Sequence, residues 1–161
     1  MVPQADFNVQ MLRHTLATVA YRGGKALRGA PAEFGQFRFV PDARTPAEIL
    51  AHVGDLFDWA LSMARGKQEW HDSKPLAWKE EVARFHATLG AFDEYLASGK
   101  PVGCSTETLF QGPLADALTH IGQLTILRRA AGAPIRAENY AKAEIVVGRV
   151  GAEQTAPHRE F

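Results

Sequence analysis

Four long stretches of this chain carry apolar residues at intervals of three and four positions, the spacing typical of amphipathic α-helices. They run over about residues 6–27, 45–66, 78–99 and 113–132. We find neither an internal repeat nor an alternation of strand and helix patterns. Helices with one apolar face are stable only when those faces pack together, so the pattern predicts an all-α four-helix bundle over residues 6–132.

The boundaries of the helices follow from local signals. Thr45-Pro46-Ala47-Glu48 reads as a capping box that starts the second helix. Pro113 is placed at the first position of the fourth helix, after a short turn over residues 106–110. Residues 133–161 are less regular, with a short strand or helical turn over 143–147 and a loose end. We therefore expect a single domain over residues 1–161, a bundle with an irregular C-terminal extension.

Charge and cysteine content exclude several classes of protein. Eighteen Lys and Arg residues balance eighteen Asp and Glu residues, which argues against a dedicated nucleic-acid binder. The single cysteine, Cys104, cannot form an internal disulfide or a cysteine-based zinc cluster. No leader pattern or bilayer-length apolar stretch is present. We expect a soluble, cytoplasmic protein whose partners are small molecules rather than nucleic acid or membrane.

Three residues with metal-ligating side chains fall on the inward faces of two helices. His52 lies on the flank of the apolar stripe of the second helix, and His120 lies within the stripe of the fourth helix. Asp116 lies at the edge of that stripe, four residues before His120, so the two can bind one ion. Burying these groups without partners costs several kcal/mol, which a divalent metal offsets. The alternative is a hydrogen-bonded network without a metal.

The other histidines are interpreted as structural or exposed. His14 falls on a second, mixed stripe of the first helix, and we expect a core or boundary position for it. The remaining three are expected at the surface: His71, His86 and His158.

Further polar and aromatic residues receive structural interpretations. Arg128 is expected to form an ion pair with Asp55 or Asp58. Cys104 lies in a loop with no evident base, which argues against a nucleophile. Several aromatic residues could line a pocket, although aromatics at these spacings usually belong to the core: Tyr21, Trp59, Trp70 and Phe110.

Three segments of the chain resemble a known family. The segment PLADALTHIGQLTILRRAAGAPI is similar to the last bundle helix of the DinB-like (DinB/YfiT) metalloproteins, with their His-x-Gly-Gln motif followed by Leu-Arg. The segment TPAEILAHVGDLFDW resembles their second helix, which contributes one histidine. The tail ENYAKAEIVVGRVG resembles a subgroup of the family. The likeness covers roughly residues 6–132 and implies the same bundle fold.

The resemblance also implies a metal site. Family members typically use three histidines, one on the second helix and two, four residues apart, on the fourth. His52 and His120 match two of these positions, whereas Asp116 replaces the third histidine. We expect zinc or nickel, and because a carboxylate favours harder ions, iron and manganese are the alternatives.

Two functions from different classes follow. The first is a metal-dependent enzyme in which the ion, held in the bundle core, activates water or a low-molecular-weight thiol, as a hydrolase or a thiol-dependent transferase. The second is a non-catalytic metal-binding or stress-response protein with a structural metal, for which His14 is the candidate fourth ligand. A homodimer is also expected, because the first helix carries apolar residues on two sides and relatives often pair.

Overall fold

The computed structural model describes residues 4–161, with side chains described from Phe7 onwards. This part is helical and contains no β-strand, only an isolated bridge between Glu138 and Glu160. No helix within it is long and apolar enough to cross a bilayer. The elements, in chain order, are α1 (Gln4–Leu27), a 3₁₀ segment (Ala32–Gln36), α2 (Pro46–Ala64), α3 (Trp78–Ala97), α4 (Thr106–Leu109), a π-helical segment (Phe110–Leu114), α5 (Ala115–Ala130) and a second 3₁₀ segment (Tyr140–Lys142).

The four long helices α1, α2, α3 and α5 pack around one hydrophobic core, which confirms the predicted all-α bundle. Most of the side chains predicted to form the apolar stripes are buried, whereas Val9, Val82 and Ala131 are half-buried. The most deeply buried side chains of the core come from all four helices and include Leu16, Leu50, Phe57, Phe85, Leu89, Phe92 and Leu124.

The capping box at the start of α2 is confirmed. The backbone N–H of Glu48 donates to the Thr45 hydroxyl oxygen at 3.2 Å, and the N–H of Thr45 donates to the Glu48 carboxylate at 2.6 Å. These bonds satisfy backbone donors that the first turn of a helix leaves unpaired. The start of α2, and with it the position of His52 along the helix, is therefore fixed by local sequence.

The predicted start of the fourth helix is wrong. The helix begins at Thr106, capped by the Ser105 side chain, and continues through the π-helical segment into α5. Pro113 therefore lies inside the helix instead of opening it. Proline has no N–H to donate, and its ring clashes with the carbonyl four residues earlier. The wider turn of the π-helical segment accommodates Pro113. Its extra residue also changes the helix face on which the side chains before Ala115 lie.

A buried charged network joins α2 to α3. Asp55 is 1% exposed and accepts hydrogen bonds from the backbone N–H of Ser73 at 2.9 Å and from the Ser73 hydroxyl at 2.7 Å. The guanidinium of Arg84 forms an ion pair with the same carboxylate. It also lies 3.8 Å from a carboxylate oxygen of Glu81, which is fully buried. Arg84 thus offsets the cost of burying two carboxylates.

The expected ion pair of Arg128 with Asp55 or Asp58 is wrong. Arg128 is buried and donates to the carbonyl oxygens of Ala26 at 2.8 Å, Arg28 at 2.9 Å and Ala133 at 2.6 Å. It satisfies carbonyls that the end of α1 leaves free, whereas the aspartates of α2 face Arg84 on α3. The side chain serves to hold the end of α1 against α5.

The C-terminal extension is anchored rather than loose. Glu138 accepts from the Tyr21 hydroxyl at 2.5 Å and from the Lys25 ammonium at 2.8 Å. Lys25 also binds Glu160 at 2.8 Å. The backbone closes on itself, because the N–H of Phe161 donates to the Ala137 carbonyl at 2.9 Å. The expected strand or helical turn over residues 143–147 is wrong, since that segment is irregular with one turn at its end.

Two of the expected histidine positions are also wrong. His14 is exposed on α1, whereas His86 is half-buried and donates from Nδ1 to the Val150 carbonyl at 3.4 Å. The sequence of α3 alone does not indicate this contact, because Val150 comes from the extension. His71 and His158 are exposed, as expected.

Gly23 allows α1 to pack tightly against α3 and α5. A Cβ atom at this position would lie 2.7 Å from Phe85 Cζ and 3.2 Å from Ile121 Cδ1. We expect Gly23→Ala to lower the free energy of unfolding by about 1–3 kcal/mol through overpacking. Gly90 on α3 is the control, because a Cβ there meets nothing within 4 Å and alanine should add about 0.5–1 kcal/mol. Urea denaturation measures both, and equal effects at the two sites would contradict this packing.

The packing of the extension on α3 also makes stability depend on pH. Burial lowers the pKa of His86 below its usual value, so the unfolded chain binds this proton more readily. The buried, neutral His86 therefore contributes fully to the free energy of unfolding above about pH 6.5. This contribution is lost as the pH falls through the lower pKa of the folded state. Urea titrations at about pH 7.5 and about pH 5 should show a smaller loss of stability for His86→Gln than for wild type. The exposed control His158→Gln should follow wild type, and an unchanged loss in His86→Gln would contradict the burial of His86.

Candidate metal centre

The structure brings together the three residues that the sequence analysis selected. His52 comes from α2, and Asp116 and His120 come from α5. Each offers a ligand atom within 4.8 Å of the other two. His52 Nε2 lies 3.3 Å from Asp116 Oδ2, and His120 Nδ1 lies 3.1 Å from Asp116 Oδ1. Among the side chains described from residue 7 onwards, this is the one group with such a geometry.

The position of the site follows from two features of the fold. Asp116 and His120 are four residues apart on α5, so they lie next to each other on one face. Helix α2 packs against α5, a contact that the spacing of residues in the sequence could not show. This contact brings His52 to the face that carries Asp116 and His120. The turn after His52 contains Asp55, whose contacts with Ser73 and Arg84 fix the rotation of α2.

The site lies at the edge of the bundle, and its expected place in the bundle core is wrong. The side chain of Asp116 is 43% exposed, that of His52 is 23% exposed and that of His120 is 12% exposed. Asp116 sits in the first turn of α5, where the helix leaves the π-helical segment. An ion bound here would therefore be reachable from solvent.

A hydrogen bond determines which nitrogen of His120 carries a proton. Its Nδ1 lies 2.8 Å from the backbone carbonyl oxygen of Asp116. A carbonyl oxygen only accepts, so Nδ1 is the donor, and in the neutral imidazole the lone pair is on Nε2. Metal-ligating histidines typically donate their second ring nitrogen to a carbonyl or carboxylate in this way. In this tautomer the nitrogen that could bind an ion is Nε2, and not the Nδ1 that lies 3.1 Å from Asp116 Oδ1.

The distances within the group suit a shared ion. Donor atoms bound to one tetrahedral zinc lie roughly 3.4 Å apart, given bond lengths of about 2.0–2.1 Å. The 3.3 Å separation of His52 Nε2 and Asp116 Oδ2 matches this value and also allows a hydrogen bond between the two side chains when no ion is bound. The exposure of Asp116 gives its side chain room to adjust.

Aromatic side chains flank one side of the site. The Trp70 ring contacts the His52 ring with centroids 5.7 Å apart, and the Trp59 and Trp70 rings meet edge to face at 5.8 Å. The Trp59 indole N–H is buried and has no hydrogen-bond acceptor among residues 7–161. Trp59 and Trp70 thus adjoin the site, whereas Tyr21 is buried against the extension and Phe110 lines a separate groove.

An open cleft of about 440 Å³ leads to Asp116. It is lined by Trp59, Gln111, Gly112, Ala115, Asp116 and Thr119. The hydroxyl of Thr119 donates to the backbone carbonyl of Asp116 at 2.8 Å. Sequence analysis missed Gln111 and Thr119, since the π-helical segment shifts the register before α5 and the threonine carries no motif of its own.

Two other candidates do not join the site. His14 is exposed on α1 and is not part of the group, so the described side chains supply no fourth histidine there. Burial raises the pKa of the Cys104 thiol, which disfavours the reactive thiolate and agrees with a non-nucleophilic role. The group therefore offers three side chains that could bind an ion, the number of protein ligands found in catalytic rather than structural zinc sites.

Comparison with known proteins identifies no relative: no family model, no curated protein and no solved structure matches this chain.

Proposed function

We propose that His52, Asp116 and His120 hold one divalent metal ion and that the protein is a metal-dependent enzyme. The observation that carries the proposal is the convergence of two imidazoles and a carboxylate, all within 4.8 Å, at a place open to solvent. Three protein ligands leave coordination positions for water or a substrate. When bound, the ion supplies Lewis acidity, which lowers the pKa of a water molecule or a small thiol that it coordinates.

Other residues of the site orient the proposed metal ligands and line the cleft. His120 is held by its bond to the Asp116 carbonyl, and Thr119 donates to that carbonyl as well. These contacts fix the ligand pair on α5. Trp59 lines one side of the cleft and gives it an apolar, aromatic surface.

The ligand types limit the choice of metal. Two imidazoles with one carboxylate suit zinc and nickel, and the same set binds iron or manganese. The resemblance to DinB-like metalloproteins supports the first two ions, and we propose membership of that family on the bundle topology and on the positions of His52 and His120. Both a hydrolase and a thiol-dependent transferase agree with this site.

Metal binding is the first test. Isothermal titration of chelator-treated protein with Zn²⁺ or Ni²⁺ should give one ion per chain. We expect His52→Ala and His120→Ala each to weaken binding by at least about 100-fold, because each removes a ligand. His158→Ala is the matched control, since this exposed histidine lies in the extension and should bind like wild type. Absence of binding by wild type, or equal binding by all three variants, would contradict the proposal.

Asp116→Asn separates an open functional site from a structural one. Asp116 is 43% exposed, so its loss should leave the melting temperature of the protein nearly unchanged while metal is lost. A structural metal would instead make the melting temperature fall together with metal content.

Two assays test the proposed enzymatic activity. Hydrolysis is measured with p-nitrophenyl esters, and thiol transfer is measured with glutathione and an aryl chloride. Turnover should require metal and disappear in Asp116→Asn. A stoichiometric metal without turnover of either kind would contradict the enzyme and favour a metal-binding role.

A further inference from the structure

A second cleft lies between α1, α5 and the C-terminal extension, on the face of α5 away from the metal ligands. Its volume is about 280 Å³. Leu118 and Gly122 of this cleft are separated from Asp116 by roughly 160° and 120° around the helix, at about 100° per residue. The cleft is therefore separate from the metal site and does not depend on it.

Three arginines border this second cleft. Arg22 comes from α1, Arg129 from the last turn of α5 and Arg136 from the extension. Arg136 lies 3.7 Å from Glu160, but within the side chains described from residue 7 onwards neither Arg22 nor Arg129 has a carboxylate in ion-pair range. The guanidinium of Arg22 lies 4.2 Å from the centre of the Tyr140 ring, which fixes its orientation.

The carboxylate of Glu138, which borders the cleft, has hydrogen-bond partners on both oxygens. Both oxygens of Glu138 are occupied, one by the Tyr21 hydroxyl and the other by the Lys25 ammonium. Lys25 also pairs with Glu160, so Lys25 and the three arginines supply four cationic groups against the two carboxylates of Glu138 and Glu160. An excess of positive charge at a concave site attracts anions, and guanidinium groups bind phosphate and carboxylate with paired hydrogen bonds.

The inner wall of the cleft is apolar and contains an unfilled position. Leu118, Ile121 and Ile135 line it beside the arginines. Gly122 lies in the middle of α5, and a Cβ atom there would meet nothing within 4 Å. Glycine destabilises a helix interior relative to alanine, and no packing contact requires it here. Its effect is to keep the cleft open.

We propose that this cleft binds a small organic anion, with its phosphate or carboxylate on Arg22 and Arg129 and its carbon body on Leu118, Ile121 and Ile135. The ligand is the size of a single ring bearing one anionic group, which suits the 280 Å³ of space. Tyr140 adds an aromatic edge to the same wall.

The test uses metal-free wild-type protein, so that phosphate has no ion to bind. Phenyl phosphate and benzoate are titrated by calorimetry, beside inorganic phosphate and phenol, which each lack one half of the proposed ligand. Backbone amide NMR locates the binding. We expect saturable binding of at least one of the two organic anions, with shifts around residues 118–136. Inorganic phosphate and phenol should each bind about tenfold or more weakly.

Variants identify the residues that bind the ligand. Arg22→Gln and Arg129→Gln should each weaken binding about tenfold or more, because each removes a charge-assisted contact. Arg65→Gln is the matched control, since Arg65 also lies over a tyrosine ring, that of Tyr95, but away from the cleft. Gly122→Leu should block binding by filling the cleft, whereas Gly90→Leu, at an equally open glycine of α3, should not.

Three results would overturn the proposal. The first is no saturable binding of either organic anion. The second is an equal loss of binding in Arg65→Gln, which would indicate general charge attraction. The third is tight binding that persists in Gly122→Leu, which would place the ligand elsewhere.

Discussion

The guanidinium of Arg84 is the contact on which the arrangement of the site depends. It lies across α2, forms an ion pair with buried Asp55 and stands near Glu81. Gly54 makes this possible, because a Cβ atom there would lie 3.2 Å from the guanidinium carbon. Ser73 completes the coordination of Asp55 from the loop after α2. The network fixes the rotation of α2 relative to α3, three residues after His52.

Helix α2, held in this orientation, places His52 next to Asp116 and His120, which α5 alone brings together. Asp116 and His120 are neighbours on one helix face because they are four residues apart. The hydrogen bond from His120 Nδ1 to the Asp116 carbonyl sets the orientation of the imidazole ring. The buried contacts of Asp55 thus stabilise α2 within one turn of His52, whereas the side chain of Asp116 is 43% exposed. The proposed ion site therefore adjoins a rigid part of the bundle, while its carboxylate is open to solvent.

Much of this architecture could be predicted from the sequence, because it depends on local periodicity and local hydrogen bonds. The capping box at Thr45 and the apolar stripes determined the helices, and the same stripes selected His52, Asp116 and His120. The π-helical segment was missed because a single proline signals a helix start as readily as an internal adjustment.

The remaining errors concern contacts between distant parts of the chain. The anchoring of the extension by Lys25 and the contact of His86 with Val150 link residues more than 60 positions apart, which periodicity does not report. Arg128 was assigned a carboxylate when its partners are backbone carbonyls, and these carry no sequence signal. The exposure of Asp116 was also missed, because its place depends on how α5 leaves the π-helical segment.

The most direct measurement of the central claim is X-ray absorption at the zinc edge of the protein loaded with one Zn²⁺ per chain. We expect light-atom ligands only, at about 2.0–2.1 Å, with the scattering pattern of two imidazoles. One imidazole should disappear from the spectrum of His52→Ala. A sulfur ligand, or a spectrum that His52→Ala leaves unchanged, would contradict a site built from His52, Asp116 and His120.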